Sequence, residues 1–249
     1  MTDNATFAEK DQGMKAPGNN GRVAALIPAA GTGQRMGSMT PKQFLCLKGR
    51  EILARTLDVF EACKMIDEIW VVAAADYCRI CRELLIERYG FRKIRGIVAG
   101  GETRQESVWC GLQHITEACD LIVVHDGVRP FVTESLLQQT LAVARQYGAA
   151  ITAIPLKDTL KRVSESGEVE ATVARERLWR IQTPQAFQRS VLYAAFQQAR
   201  QQGLEATDES GLVEALAYPV KIVPGLEQNV KMTTPDDLIF GEAYLHASF

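Results

Sequence analysis

The chain has 249 residues, of which 47% are hydrophobic, enough for one large domain with a hydrophobic core or for two small ones. Its 28 basic and 30 acidic residues nearly balance, so no general affinity for nucleic-acid backbones or anionic membranes is expected. No apolar run approaches the about 20 residues that a membrane-spanning helix needs.

Residues 1–22 are predicted to form a disordered tail, because Met1 to Gly21 is polar and lacks the apolar centre of a signal peptide. Without a signal peptide, the six cysteines are not expected to form a disulfide framework. Cys78 and Cys81 form a C-x-x-C pair that lacks the second ligand pair of a zinc site. We therefore expect a cytoplasmic protein.

From Val23 to Pro155, short apolar runs alternate with amphipathic stretches. Runs typical of buried strands are VAALIP, EIWVVAAA, IRGIVAG, LIVV and AAITAIP. The stretches between them carry apolar residues at helical spacing, and the predicted helices include Glu51–Cys63 and Arg104–Cys119. This alternation predicts an α/β fold: a Rossmann-like, mostly parallel sheet with helices on both faces, in a single domain over residues 23–249.

The alternation stops at Leu156–Phe187, where Thr and Val alternate with charged residues around the turn SESGE. This pattern predicts a β-hairpin with little core of its own. Because a two-stranded hairpin is marginal alone, we expect this arm, about residues 156–184, to pack on a second subunit. Two helices, a strand VKIVPG and a last helix capped by Thr234 are predicted to follow.

The stretch PAAGTGQRM directly follows the first strand, at the sheet edge where open parallel sheets bind ligands. Gly31 and Gly33 allow backbone N–H groups to face an anion. The stretch fits neither a Walker loop nor a dinucleotide fingerprint, since Met36 stands at the third glycine position. Arg35 and Lys42 follow it, as a phosphoryl or nucleotidyl transferase would require. An ordinary strand–helix turn with two surface cations remains the alternative.

Three other strand ends carry polar residues. In HDGVRP, Asp126 could ligate Mg²⁺ and Arg129 could bind a phosphate, unless the two form only a local ion pair. His125 is interpreted as a packing residue rather than a base. GGETRQES and NVKMTTP, which contains Lys231, are weak signals alone.

Together these segments resemble the 2-C-methyl-D-erythritol 4-phosphate cytidylyltransferases of the non-mevalonate isoprenoid pathway. The resemblance covers Val23 to Leu245 and rests on seven motifs in order: PAAGTGQRM, PKQFL, HDGVRP, DTLKR, QTPQAF, ATDES and NVKMTTPDDL. It implies cytidylyl transfer from CTP to the polyol phosphate 2-C-methyl-D-erythritol 4-phosphate, with release of pyrophosphate and with Mg²⁺ or another divalent cation. It also implies a homodimer in which the arm carries residues to the partner's site.

The resemblance also implies roles for individual residues. The implied catalytic residues are Arg35, Lys42 and Lys231. The implied CTP-binding residues are Pro28, Ala29, Ala30, Gly31, Gly33, Gly101, Glu102, Ser107 and Asp126, and Asp126 is also the implied metal ligand. The implied binders of the sugar phosphate are Arg129, Thr159, Arg175, Thr183 and Thr207.

The chain departs from the family pattern at four positions: Gln34 stands where a basic residue is common, Glu102 where Asp is common, and Gly127 and Val128 where Ala-Ala is common. A related alternative is a cytidylyltransferase acting on ribitol 5-phosphate. In those enzymes the glycine loop usually starts with LAGG rather than PAAG. A nucleotide-binding regulator without catalysis is a second alternative, disfavoured because binding alone does not need cations on both sides of the phosphates.

Overall fold

A computed structural model of the protein describes residues 21–31 and 40–247, so the predicted tail lies outside the described residues apart from its last two positions. The strands are β1 (Arg22–Ala29), β2 (Cys46–Leu47), β3 (Arg50–Glu51), β4 (Glu68–Ala73), β5 (Ile94–Ala99), β6 (Cys119–Val124), β7 (Ala149–Pro155), β8 (Leu160–Val163), β9 (Val169–Val173), β10 (Trp179–Gln188) and β11 (Lys221–Pro224). The helices are α1 (Ile52–Ala62), α2 (Cys78–Arg82, continued by a π-helical stretch, Glu83–Arg88), α3 (Arg104–Leu112), α4 (Glu134–Tyr147), α5 (Arg189–Gln202), α6 (Glu209–Ala215) and α7 (Pro235–Ala247).

The central sheet contains seven strands in the order β11-β7-β10-β6-β1-β4-β5. Strand β10 runs antiparallel to β6 and β7, and the other pairings are parallel. The parallel strands therefore end at one common edge, called the carboxyl edge below. This arrangement confirms the predicted mostly parallel α/β sheet.

Both faces of the sheet are buried. Along β1, Val23, Ala25 and Ile27 face a core formed with α1, α2 and α4, whereas Ala24 and Leu26 face a core formed with α3, α5 and α6. A strand buried on both faces is apolar throughout, which explains the continuous run VAALIP. The result is a three-layer structure whose loops at the carboxyl edge are held by rigid elements.

Strand β10 corrects the prediction that all of Leu156–Phe187 forms a hairpin. Its last residues pair with β6 and β7 in the centre of the sheet, and Ala186 and Phe187 are fully buried. The sequence from Gln182 to Gln185 is unusual for a central strand. Pro184 has no N–H to donate to the strand pairing, and glutamine side chains are rarely buried. The strand pairing is irregular between Ile181 and Gln185, which accommodates these residues.

The hairpin that remains of the predicted arm is β8–β9, a separate two-stranded sheet. The side chains of β8 are exposed, and so are those of β9 except the half-buried Val173. Val163 and Val169 are paired across the hairpin and are 55% and 62% exposed. Within the described residues, the hairpin thus adds no core to its own subunit.

The end of helix α3 differs from the sequence prediction, whereas the start of helix α7 agrees with it. Helix α3 ends at Leu112 rather than Cys119, and Ile115 is buried in the turn that leads to β6. Helix α7 begins as predicted: the Thr234 side chain accepts from the N–H of Asp237, and the Asp237 carboxylate accepts from the N–H of Thr234. Among the residues that the structure describes, no helix is long and apolar enough to cross a bilayer.

Candidate active site

A cleft of about 170 Å³ opens at the carboxyl edge, where β1 and β6 end and where the turn after β5 enters α3. It is lined by Pro28, Ala29, Ala30, Gly31, Lys42, Gln43, Glu102, Thr103, Arg104, Ser107, Asp126, Val128 and Lys231. Residues from all four of the strand-end segments named above therefore meet in one place. This is the arrangement expected for a ligand site in an open parallel sheet.

Lys42 reaches the cleft on a short 3-10 turn, Lys42–Phe44, that follows the glycine loop. The neighbouring Gln43 is buried, and its side-chain amide donates to the carbonyl of Ala29 at the end of β1, at 2.8 Å. This bond fixes the turn that carries Lys42 to the central sheet. Gly33 and Arg35, two predicted site residues, lie outside the described residues.

The turn between β5 and α3 forms the opposite wall. A Cβ at Gly100 would lie 2.5 Å from Ser107 Oγ and 2.9 Å from the Cβ of Ala30, so only glycine permits this close approach. Ser107 Oγ donates to the carbonyl of Gly101 at 3.3 Å. Gly101, Glu102 and Ser107, predicted to bind CTP, therefore lie together beside Ala30.

A reciprocal capping box fixes the same turn. Thr103 Oγ1 accepts from the N–H of Glu106 at 3.1 Å, and the Glu106 carboxylate accepts from the N–H groups of Glu102 and Thr103 at 2.9 and 3.1 Å. A capping box satisfies N–H groups at the start of a helix and stabilises it. The backbone of Glu102 is thus held in place while its side chain remains exposed in the cleft.

The carboxylate of Asp126 is surrounded by three cations. Its Oδ1 lies 3.3 Å from Arg104 Nε, and its Oδ2 lies 3.2 Å from Arg129 Nε and 3.0 Å from Lys231 Nζ. Asp126 is only 5% exposed. Burial alone would raise its pKa, but Arg104, Lys231 and Arg129 together lower that pKa below its usual value. The carboxylate is therefore ionised at neutral pH.

The segment that carries Lys231 is tied to the same cluster. Arg129 donates through Nη1 to the carbonyl of Asn229 at 2.8 Å, and the buried Asn229 amide donates to the carbonyl of Thr183 at 2.8 Å. Met232, which directly follows Lys231, donates its N–H to the carbonyl of Val128 at 2.9 Å. Lys231 is thus held in the cleft that Gly31 and Lys42 also line, although it is about 200 positions from β1 in the chain.

The chemistry that this geometry favours is the binding of a polyphosphate. Lys42 and Lys231 line the cleft together with the guanidinium of Arg104, and one ionised carboxylate, Asp126, lies among them. Cations placed around a cleft neutralise charge on phosphate oxygens. No residue described in the cleft forms a Ser–His or Cys–His nucleophile pair.

A family model described as "IspD: 2-C-methyl-D-erythritol 4-phosphate cytidylyltransferase" matches residues 23–247. The chain belongs to this family. A relative of that name from Geobacter metallireducens is 50% identical over 226 residues, covering 90% of this chain and 97% of the relative. A second, from Syntrophus aciditrophicus, is 45% identical over 224 residues, covering 90% and 96%.

Solved structures agree with this assignment. The 4-diphosphocytidyl-2C-methyl-D-erythritol synthase of Anaerococcus prevotii superposes with a TM-score of 0.79 at 37% identity, covering 91% of this chain and 97% of that one. The cytidylyltransferase of Thermus thermophilus gives 0.72 at 36% identity, covering 90% and 99%. The predicted family and enzyme class, a nucleotidyltransferase, are confirmed, and the ribitol 5-phosphate alternative is not favoured.

The residues predicted to bind the sugar phosphate lie in three places. Thr159 and Arg175 are exposed at the base of the β8–β9 hairpin, where Arg175 donates to the carbonyl of Lys157. Thr207 is exposed in the loop before α6. Thr183 is buried beside Asp126, and the half-buried Arg129 pairs with the same carboxylate. Within one subunit, the structure therefore does not bring the five together in the cleft, and their roles remain predictions.

Three residues of the site were missed by sequence reasoning. Gln43 anchors the Lys42 turn, Arg104 lines the cleft, and Glu209 pairs with Arg104 at 2.6 and 3.0 Å. The position of Arg104 could have indicated a site residue, because it opens a helix directly after a pair of glycines at a strand end. Glu209 belongs to the ATDES motif but lies 105 positions away from Arg104, so no local pattern indicated the pair.

The departure at Gly127 also has a local explanation. A Cβ at this position would come within 2.9 Å of Leu53 Cδ1 and 3.1 Å of the Cβ of Ala29. An alanine here would thus require the Leu53 side chain to shift. Val128, the second departure, is buried in a small core with Ile52 and Met232 and lines the cleft.

His125 is a packing residue, as predicted, and it orients the next residue. Its Nε2 lies 3.1 Å from the carbonyl of Arg129, which can only accept, so Nε2 carries the proton. Its Nδ1 lies 3.0 Å from Thr183 Oγ1, which accepts in turn from the N–H of Asp126 at 3.1 Å. Burial lowers the pKa of His125 to about 4, so the ring is neutral at pH 7.

This lowered pKa predicts an acid-sensitive contribution to stability. The unfolded chain protonates His125 near pH 6.5, whereas the folded chain resists protonation down to about pH 4. The free energy of unfolding should therefore fall by up to about 3 kcal/mol as the pH decreases through this window, as measured by urea denaturation. His125→Gln should flatten the dependence, whereas His114→Gln, at an exposed position, should preserve it. An unchanged pH dependence in His125→Gln would contradict the assignment.

Proposed function

We propose that this protein transfers the cytidylyl group of CTP to 2-C-methyl-D-erythritol 4-phosphate. The products are 4-diphosphocytidyl-2-C-methyl-D-erythritol, an intermediate of isoprenoid precursor synthesis, and pyrophosphate. The observation that carries the proposal is the cleft in which Lys42 and Lys231 lie with Asp126 at the carboxyl edge of the sheet. Membership of the cytidylyltransferase family supports the choice of both substrates.

In this proposal the acceptor's phosphate oxygen attacks the α-phosphorus of CTP, and the bond to the pyrophosphate group breaks. The nucleophile is already an anion at pH 7, so the enzyme needs no general base. His125, the ring nearest to Asp126 in sequence, supports this reading because both of its nitrogens are engaged. Catalysis then consists of alignment and charge neutralisation.

The nucleotide is proposed to lie between the glycine loop and the turn that precedes α3. Arg35, Lys42 and Lys231 would neutralise the triphosphate and the charge that develops at the α-phosphorus. The base and ribose would contact Pro28, Ala29, Ala30, Gly31, Gly33, Gly101, Glu102, Ser107 and Asp126. The rigid capping box behind Glu102 supports this placement, since it fixes backbone groups that face the cleft.

Mg²⁺, or another divalent cation, is proposed to bind at Asp126. Among the described residues no group of three or more acidic, cysteine or histidine side chains could hold a metal alone. A buried, ionised carboxylate that lines a polyphosphate cleft, as Asp126 does, fits a cation that is also bound by the nucleotide's phosphates. Such a cation would neutralise phosphate charge when bound, and Lys231, whose side chain is 35% exposed, can turn from Asp126 towards the phosphates.

The acceptor is proposed to bind through Arg129, Thr159, Arg175, Thr183 and Thr207 of two subunits. Thr159 and Arg175 lie beside the hairpin, away from their own subunit's cleft. The hairpin exposes Leu160, Val163 and Val169, an apolar surface that a second copy could cover. We therefore infer a homodimer in which each hairpin completes the partner's site. Six free cysteines support a cytoplasmic enzyme, and the near-neutral charge gives no reason to invoke nucleic-acid or membrane partners.

The dimer predicts a specific loss. Val169→Asp should place a charge on the hairpin's apolar surface and convert the dimer to monomers at micromolar concentration, as measured by analytical ultracentrifugation. The KM for the acceptor should rise about tenfold or more, because Thr159 and Arg175 no longer reach a partner's cleft. Ile239→Asp, on α7 and 70% exposed, should change neither property. A Val169→Asp dimer with unchanged acceptor KM would refute the proposed arm.

The proposed function is tested by pyrophosphate release. The protein is incubated with Mg²⁺, one nucleoside triphosphate and one polyol phosphate, over a panel that includes CTP, UTP and ATP with methylerythritol 4-phosphate and ribitol 5-phosphate. We expect release chiefly from CTP with methylerythritol 4-phosphate. Faster release with ribitol 5-phosphate, or none with any pair, would contradict the proposal.

A further inference from the structure

The guanidinium of Arg104 bridges two carboxylates that come from different layers of the fold. Its terminal nitrogens bind Glu209 at the start of α6, at 2.6 and 3.0 Å, while its Nε faces Asp126 Oδ1 at 3.3 Å. Glu209 is 1% exposed, whereas the Arg104 side chain is 28% exposed and lines the cleft. A bidentate pair with a buried carboxylate fixes the guanidinium plane.

The segment before α6 is anchored independently of this pair. The Gln105 side chain donates to the carbonyl of Leu204 at 3.0 Å and accepts from the N–H of Ala206 at 2.9 Å. Gln185 of β10 donates to Asp208, the cap of α6, at 2.8 Å. The bonds from Gln105 and Gln185 already hold the segment, so anchoring alone does not require a buried charge at Glu209.

The charge balance around Asp126 gives Glu209 a different role. Arg104, Arg129 and Lys231 all contact Asp126, and of these three cations only Arg104 has a second carboxylate partner among the salt bridges of the described residues. Because Glu209 occupies both terminal nitrogens, Arg104 meets Asp126 through a single N–H. Without Glu209, the terminal nitrogens of Arg104 would be free to form further hydrogen bonds with Asp126. Asp126 would then be the only carboxylate among these salt bridges for the three cations, so a net positive charge would remain beside it.

We propose that Glu209 and Arg104 are positioning residues that keep Asp126 available to the divalent cation. Glu209 holds the Arg104 guanidinium away from full pairing with Asp126 and offsets its charge. This inference rests on the proposed function, because it assigns the cation to Asp126. It predicts that Glu209, which is buried away from the cleft, controls the cation requirement of the reaction.

The test is Glu209→Gln, which keeps the shape of the side chain and removes its charge. The Mg²⁺ concentration at half-maximal rate should rise roughly tenfold, while kcat at saturating Mg²⁺ should stay within about twofold of wild type. Binding of Mn²⁺ to the protein with CTP and no acceptor, followed by water-proton relaxation, should weaken by a similar factor. An unchanged Mn²⁺ affinity would overturn the inference.

Gln105→Leu is the matched control, since it loosens the same segment without changing charge. It should leave Mn²⁺ affinity unchanged, and an equal loss in both variants would reduce Glu209 to an anchor and refute its positioning role. If Glu209→Gln does not fold, Glu209→Asp replaces it: the shorter carboxylate cannot reach both nitrogens, so an intermediate loss is expected and no loss is contradictory. A wild type that releases no pyrophosphate would instead refute the proposed function itself.

Discussion

Replacement of Lys42 by alanine should lower kcat/KM by at least about 100-fold, corresponding to about 3 kcal/mol of lost transition-state stabilisation. Lys42 lines the cleft on a turn that Gln43 ties to the end of β1, so its ammonium group is held where the triphosphate is proposed to bind. As the bond to pyrophosphate breaks, negative charge shifts from the attacking oxygen to the leaving oxygen, and a fixed cation stabilises that change. Steady-state pyrophosphate release measures the effect.

The fold should survive this replacement, because Lys42 is half-buried at the cleft and is not part of a hydrophobic core. The thermal midpoint of Lys42→Ala should therefore stay close to that of the wild type. Lys64→Ala removes an exposed lysine between α1 and β4, at the opposite edge of the sheet, and should retain full activity. A fully active Lys42→Ala enzyme would exclude the proposed catalytic role.

Asp126→Asn should affect both stability and activity. The amide cannot neutralise Arg129 and Lys231, so two cations lose their carboxylate partner, whereas Arg104 keeps Glu209. We expect the free energy of unfolding at pH 7 to fall by about 2–4 kcal/mol, because Lys231 can turn to solvent while the Arg129 side chain, 12% exposed, cannot. Activity should fall at least about 100-fold, since the proposed cation loses its protein ligand.

The stability loss in Asp126→Asn should depend on pH. A carboxylate whose pKa is lowered by folding contributes stability above its unfolded pKa, near 4, and loses it as the pH falls further. The difference between wild type and Asp126→Asn, measured by urea denaturation, should therefore shrink below about pH 4. Asp120→Asn, at the exposed start of the same strand, is the control and should show no such difference. A stable and active Asp126→Asn enzyme would contradict both roles.

Much of the fold could be predicted from local patterns. Strand β7 and helix α1 occupy the predicted positions, since a continuous apolar run marks the strand and apolar residues at helical spacing mark the helix. Strand β10 could not be predicted in this way, because Gln182, Thr183 and Gln185 are polar. Their partners, Asn229, His125 and Asp208, come from distant parts of the chain and satisfy them only in the folded state.

The site shows the same division. Gly31, Lys42 and Asp126 could be proposed from their places after strands, the family resemblance added Pro28, Ala29, Ala30 and Lys231, and all of them line one cleft. The pairing of Arg104 with Glu209 could not be proposed in this way, since it depends on how α6 packs beside α3 and leaves no periodic signal. The sugar-phosphate residues on the hairpin rest on family resemblance, because a single subunit does not place them in the cleft.

The central claim, that the acceptor phosphate attacks the α-phosphorus of CTP in this cleft, is tested most directly by ³¹P NMR of the reaction mixture. With CTP, Mg²⁺ and methylerythritol 4-phosphate, the monophosphate signal of the acceptor should disappear as two coupled diphosphate signals and free pyrophosphate appear in equal amounts. Release of orthophosphate, or pyrophosphate formed while the acceptor's monophosphate signal persists, would contradict the account.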